Sequence, residues 1–371
     1  MKVLLLNIFM FLTLISLSAQ IYNHGEIILE KNAKISVNSK IEIYKSGKIN
    51  NSGKIVLKGD WINKNESGAF VENKGEVHLT GQSQVIKEKP TEFGVLYFLN
   101  DTKTKLEGDI MIKDRMILEN GSLDLNGYSL SIENGEPDAI QANSGNIIAE
   151  NPNSKITWSI DVLQKDYVIP FSTKDEEQIP VTFSIQEKSQ DNVIFNTYPT
   201  TTDNLPLPGN TNPLVLDNKD VSNLALDRFW YINTNGATLK VEISFTSKDT
   251  DSNQIDKNEL ALLYYNGVEW IVDTTGGYDD NDKYSTIINK SGWFTLISYK
   301  PLSIDKTDLY IANALSLFPN PARNTVSFEL SKDKKLSDIK VIDLLGKQVF
   351  CDMKYDKNNT YSIDISKLQN T

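Results

Sequence analysis

Asn51-Ser52-Gly53-Lys54-Ile55-Val56-Leu57 is the stretch whose reading decides the fold. Asn and Gly tolerate left-handed backbone angles and open it as a turn; Ile55 and Leu57, two apart, then mark a strand with one face inward. The unit recurs as Asn23-His24-Gly25 with Ile27 and Leu29, Asn73-Lys74-Gly75 with Val77 and Leu79, Glu119-Asn120-Gly121 with Leu123 and Leu125, and Asn143-Ser144-Gly145 with Ile147. Gly25 and Gly47 lie 22 residues apart, as do Gly53 and Gly75, and Gly121 and Gly145 are 24 apart. A period in the low twenties is that of a β-solenoid, in which no coil is stable alone and only stacked neighbours complete the core. Residues 20–166 are therefore expected to form β-solenoid-like repeats, and Gly and Asn recur too often for helix.

From Tyr167-Val168-Ile169-Pro170-Phe171 to about residue 300 the strands lengthen and become aromatic: Val181 to Ile185, Phe229 to Ile232, Leu239 to Phe245, Leu260 to Tyr265, Glu269 to Val272 and Trp293 to Ser298. Asn266-Gly267 reads as a type I′ hairpin turn, since both residues accept positive φ. Regular strand spacing predicts an antiparallel β-sandwich over 167–300, with Thr200 to Pro213 a long loop. Residues 301–313 read as a linker.

The last block opens on Leu317-Phe318-Pro319-Asn320-Pro321-Ala322, where two prolines forbid helix and make a stiff lead-in. Val326, Phe328 and Leu330 alternate as a strand, Ile339 to Asp343 make another, Leu345-Gly346-Lys347 turns, Gln348 to Cys351 returns, and Tyr361, Ile363 and Ile365 alternate again. These strands predict a small antiparallel β-sandwich. The block resembles the C-terminal sorting domain of the type IX (Por) secretion system of Bacteroidetes-like bacteria. The resemblance rests on Phe318, Pro319, Asn320, Pro321 and Ala322, then Ile342 with Asp343, Leu344, Leu345, Gly346 and Lys347, then Ile363-Asp364-Ile365-Ser366-Lys367-Leu368, in family order. It implies a sorting domain over 314–371, read by an outer-membrane translocon that exports the cargo and often removes the domain. The family pattern usually continues into a Gly-x-Tyr strand and a basic end, so a domain stopping at Thr371 is expected to be truncated, with an edge left open.

At the other end, Met1-Lys2, the apolar run from Val3 to Leu17, and Ser18-Ala19-Gln20 have the parts of a Sec signal peptide over 1–19, cut between Ala19 and Gln20. The run is short for a bilayer-spanning helix and no cysteine follows the cut, so no transmembrane or lipid anchor is expected in the mature chain. Thirty-eight basic against 49 acidic residues, a net charge of −11, argue against nucleic acid as a partner. Cys351, the sole cysteine, excludes an intramolecular disulfide and a thiolate zinc site, and reads as a small apolar residue at a strand end.

Candidate chemistry is sparse. His24 lies in a turn, and His78, between Val77 and Leu79, should face solvent; neither has a partner in sequence that makes a triad or metal site. There is no Gly-x-Ser-x-Gly elbow, His-Glu-x-x-His helix or phosphate-cradling glycine loop. No cofactor is expected. Asp249, Asp251, Asn253 and Asp256 come nearest to a calcium loop, but Gln254 stands where the turn glycine belongs and Glu259 falls one place early, which favours a solvated loop. Trp61, Trp158, Trp230, Trp270 and Trp293 are candidates to stack on sugar rings, with Trp230 and Trp293 the more core-like. No paired carboxylates of a glycosidase can be read.

The reading is an all-β protein: signal peptide, solenoid, sandwich, sorting domain. Its expected place is extracellular or at the outer-membrane surface, reached through Sec and the periplasm, where it acts as a non-enzymatic adhesin or structural protein. The alternative is an extracellular carbohydrate-active enzyme, a β-helix lyase or hydrolase, or a glycan-binding protein. Expected partners are the translocon and a glycan or other surface ligand.

Overall fold

A computed structural model describes residues 20–65, 74–187, 192–250, 255–279 and 281–299, and in the C-terminal part 317–319, 322–329, 339–342, 348–349, 351–355 and 360–366. The chain divides into two compact units, residues 1–299 and 300–371. Among the described residues the regular structure is strand, apart from four single-turn 3-10 segments. The expected signal segment 1–19 and linker 301–313 lie outside the described residues.

The repeats form a β-solenoid. One face is an eight-stranded parallel sheet running from Ile21–Asn23 through Ile41–Ile43 and Trp61–Asn63 to Phe171–Ser172. A second carries Lys34–Val37, Lys54–Leu57, Glu76–Leu79, Thr91–Phe98 and Ile110–Leu118, each paired parallel with the next, the last pair with a register shift between Phe93 and Val95. The alternation seen in sequence becomes vertical ladders: Ile35, Ile55, Val77, Leu96, Met116 and Ile140 stack in one inward column, and Val37, Leu57, Leu79, Phe98 and Leu118 in another, which ends on the exposed Ala142. A third pairing sets Glu26–Leu29 on Lys48–Asn51.

The recurring Asn does two jobs at each corner. Asn51 Oδ1 accepts from the Gly53 amide at 3.0 Å while its Nδ2 donates to the Glu76 carbonyl of the following coil at 3.2 Å. Asn23 repeats this with Gly25 and Lys48, and Asn63 with Asn65 and Pro90. All three side chains are buried, so the stitches also satisfy polar groups that burial would otherwise penalise. The Gly is needed for closeness rather than for the left-handed angle expected of it. A Cβ on Gly53 would sit 2.4 Å from the Ala33 carbonyl oxygen, and one on Gly75 2.5 Å from that of Gly53. Positive φ falls instead on residues such as Asn32 (73°) and Gly127 (90°).

Where the sequence reading separates solenoid from sandwich at 166, one sheet runs through both. Lys155–Ser159 pairs parallel with Ser129–Ile132 on one side and antiparallel with Asn192–Pro199 on the other. The antiparallel part continues through Arg228–Asn233, Gly292–Ser298, Leu260–Tyr265 and Trp270–Asp273. Facing it are Tyr167–Ile169, Val181–Glu187, Thr238–Ser244, Lys283–Ile288 and Gly277–Asp279. Trp158, Tyr167, Phe183 and Phe195 pack between them, with ring centroids 4.6 Å apart for Phe183 and Phe195. They belong to the same apolar core as the solenoid ladders. The other face of the antiparallel sheet carries a second core of Tyr198, Phe229, Leu263, Trp270 and Ile297, covered by Leu214, Val221 and Ala225 from the segment after the strand Asn192–Pro199. The hairpin at Asn266-Gly267 is present, but only Gly267 has positive φ. Asn266 Oδ1 instead accepts from the amides of Val268 and Glu269, and the turn spans four residues between Tyr265 and Trp270.

Arg228 ties the two regions together. Its Nε donates to Asp249 at 3.0 Å and its Nη2 to Glu150 at 3.2 Å, and the three side chains are 2%, 4% and 6% exposed. Charges so buried persist only when paired on all sides.

Two substitutions test these contacts. Gly75→Ala is expected to destabilise the unit by about 1–3 kcal/mol through overpacking, whereas Gly25→Ala, with nothing within 4 Å of its Cβ, leaves the urea midpoint unchanged. Arg228→Ala, which strands two buried carboxylates, is expected to cost about 3–5 kcal/mol in the same urea titration.

Candidate functional site

The C-terminal unit contains a four-stranded antiparallel sheet in the order Leu317–Phe318, Thr325–Glu329, Thr360–Asp364, Met353–Tyr355, and a separate pairing of Val341–Ile342 with Gln348–Val349. Period-2 alternation puts one residue set on each face of the sheet. Register places Leu317 beside Phe328, Phe328 beside Tyr361 and Tyr361 beside Tyr355, so an apolar stripe crosses all four strands. Phe328 and Tyr361 stack at 5.2 Å and 11°, and Tyr355 lies 4.8 Å from Tyr361. Phe328 and, in the next row, Ile363 are buried, while Leu317 and Tyr355 remain exposed at the stripe's ends. On the opposite face Ser327 and Ser362 share a hydrogen bond at 2.9 Å.

Of the sorting-motif residues, Phe318 ends the first strand with its side chain exposed, Pro319 follows it through a cis peptide bond, and Ala322 is half-buried. Asn320, Pro321, Asp343, Leu344, Leu345, Gly346 and Lys347 lie outside the described residues; the last five fall between the paired strands Val341–Ile342 and Gln348–Val349. Ala19 is likewise outside them, and Gln20 is exposed beside the first strand. Cys351 is a free, half-buried thiol. The sequence reading missed the strand Met353–Tyr355, which at three residues is too short for its alternation to stand out.

The other candidates have structural employment. His78 faces outward from its strand as expected, yet it is only 8% exposed, because the next coil sets Tyr97 beside it and the rings stack at 4.1 Å. Burial lowers the His78 pKa, against the opposing hydrogen bond to Glu76 at 2.8 Å. His24 stacks on Tyr44 in the same way at 4.1 Å. Trp61, Trp158, Trp230 and Trp270 are all buried and so offer no platform to a sugar; only Trp293 is half-buried. Asp249 turns both oxygens inward, Oδ1 to Arg228 and Oδ2 to the Thr246 amide and hydroxyl, rather than toward an ion. Asp251 and Asn253 lie outside the described residues.

Two features escaped the sequence reading. Glu42, 3% exposed on the outside of the solenoid, is held by Lys40 at 2.7 Å and by Lys64, with Tyr22 and Tyr44 under the ammonium groups. The hydrogen bonds from Lys40 and then Lys64 outweigh burial and bring its pKa down to about 2. Lys40, just before the strand Ile41–Ile43, is two residues from Glu42, but Lys64 is a full coil away, and that register is invisible without the ladder. The second feature is a shallow cavity of about 350 Å³ lined by Asn212, Pro213, Val215, Asp217, Glu269 and Trp270. The Trp270 indole N–H there is already committed to the Asn212 carbonyl at 2.7 Å.

Residues 316–370 match the family described as a secretion system C-terminal sorting domain. No curated protein and no solved structure matches the chain. The match covers the stripe-bearing sheet and its paired strands, and the tail marks the chain as cargo of type IX secretion.

Glu42 supplies a pH test. Its folded pKa lies below its ordinary value of 4.5, so its contribution to stability is complete above pH 4.5 and is lost as the pH falls toward 2. Urea titrations across that window are expected to show wild type losing stability relative to Glu42→Gln, with the two curves converging at the acid end.

Proposed function

We propose, from the premise that residues 316–370 form a type IX sorting tail, that the protein is delivered by Sec and then by the type IX translocon to the cell surface or medium. There the solenoid and sandwich act as a non-enzymatic adhesive or structural passenger. The observation that carries the delivery reading is the ordered motif set coinciding with a separate compact unit at the end of the chain. A separate compact unit suits a signal that is recognised apart from the passenger it follows.

Support for a non-enzymatic passenger comes from where its reactive groups are spent. Glu42, Glu150 and Asp249 are buried in ion pairs with lysine or arginine, and both histidines are stacked under tyrosine. Such pairing fixes these side chains in place, which serves cohesion between coils and at the junction with the sandwich. Proton transfer asks instead for groups poised between two states. The outer rows of the solenoid, repeated coil after coil, provide an extended surface of the kind that repeat proteins use for binding.

The test is fractionation of the host with the full chain, a chain ending at residue 315, and the full chain in a strain lacking the translocon. The full chain is expected at the cell surface or in the medium, accessible to added protease, and the other two in the periplasm. Surface exposure of the shortened chain would overturn the delivery reading.

A further inference from the structure

The first coil, Ile21–Asn23, Glu26–Leu29 and Lys34–Val37, is built like the later ones, except that among the described residues each of its strands pairs on one side only. Ile21, Ile27 and Ile35 are therefore half-buried, whereas their ladder partners Ile41, Ile49 and Ile55 are 1–2% exposed. Gly25 has open space where Gly47, Gly53 and Gly75 each press on a carbonyl of the coil before. Among the described residues, this end of the solenoid thus presents edge amides and carbonyls around a ring of isoleucines, a surface that templates strand addition.

We propose that this end is an interface between two copies of the chain, joined head to head about a two-fold axis. The proposal rests on the reading that residues 1–19 are removed, so that Gln20 leads directly into the first strand. A two-fold axis perpendicular to the stack reverses the direction of travel around the coil. Ile21–Asn23 then meets itself, and Glu26–Leu29 meets Lys34–Val37 of the second copy, all antiparallel. Tyr22 sits beside Glu42, so the first turn from Tyr22 spans 20 residues, although Glu26 sits beside Lys48, 22 residues on; Tyr22 and Asn32 are half of that first turn apart, and the proposed axis passes through both.

That axis sets a register that the chemistry of the edge satisfies. Ile27 falls opposite Val37 of the second copy and Leu29 opposite Ile35, which keeps inward side chains inward. Ile28 falls opposite Ser36, and Glu30 opposite Lys34, each twice by symmetry. The backbone agrees independently. Gly25 and Leu29 accept from Lys48 and Ser52, and Ala33 and Val37 from Lys54 and Lys58, so odd-numbered residues spend their backbone groups on the second coil. Ile28 and Ser36 are left with theirs facing outward, as a directly opposed, hydrogen-bonded antiparallel pair requires. Tyr22 and Ile28, 52% and 57% exposed, would gain cross-strand neighbours. A head-to-tail stack has no matching surface, because at the far end Lys155–Ser159 is already continued antiparallel by Asn192–Pro199.

The test is sedimentation equilibrium of the purified chain from Gln20 to Thr371 over a dilution series. A reversible dimer with no larger species is expected. Glu30→Lys and Lys34→Glu should each weaken it roughly tenfold by setting like charges opposite one another, and the double variant should regain wild-type affinity. Ser36→Pro, which removes an outward amide from an edge strand, should leave the circular dichroism unchanged and abolish the dimer. A monomer at every concentration, larger assemblies, or a double variant as weak as the single ones would overturn the proposal; should the proline variant misfold, the charge exchange decides. Because purified chain is used, the outcome does not depend on whether residues 316–370 direct export.

Discussion

Each coil of this protein lies directly on the backbone of the coil before it, one ladder bond deep, and the constraints on the passenger's sequence follow from that contact. Parallel in-register stacking sets every side chain over its counterpart a coil away. Inward columns are therefore mostly apolar, with buried polar members such as Gln84 and Thr104 stacked in one ladder with Leu123. Corners must either omit a side chain, as at Gly53 and Gly75, or carry one that bonds to the neighbouring coil, as Asn23, Asn51 and Asn63 do. Outward columns are joined as well: His78 beneath Tyr97, His24 beneath Tyr44 and Glu42 between two lysines are what stacking makes of polar residues on an exterior face.

Stacking also needs an end. At the far side the ladder changes from parallel to antiparallel at Lys155–Ser159, so the sandwich closes the solenoid with its own strands. Arg228, set between Glu150 from the repeats and Asp249 from the sandwich, locks that junction electrostatically, while Trp158, Tyr167, Phe183 and Phe195 fill it. The two regions consequently share one hydrophobic core and form one compact unit. The sorting tail is a unit of its own. Its aromatic stripe, Phe328, Tyr361 and Tyr355, is built by the same period-2 alternation in antiparallel form.

The amino-acid sequence by itself determined the all-β class, the solenoid period and the sorting tail. These depend on local spacing: alternation within a strand, turn residues at regular intervals, and motifs in a set order. Tertiary structure decided everything that joins residues a coil or more apart. Nothing near Asp249 in sequence announces Arg228, so its carboxylate could be read as a metal ligand until the fold set the guanidinium 3.0 Å away. Nothing beside His78 announces Tyr97, and a residue that alternation turns outward proved to be covered. Local pattern determines which way a side chain points, but what it meets there depends on the register between strands, and register is settled only when the inward columns close together as one core.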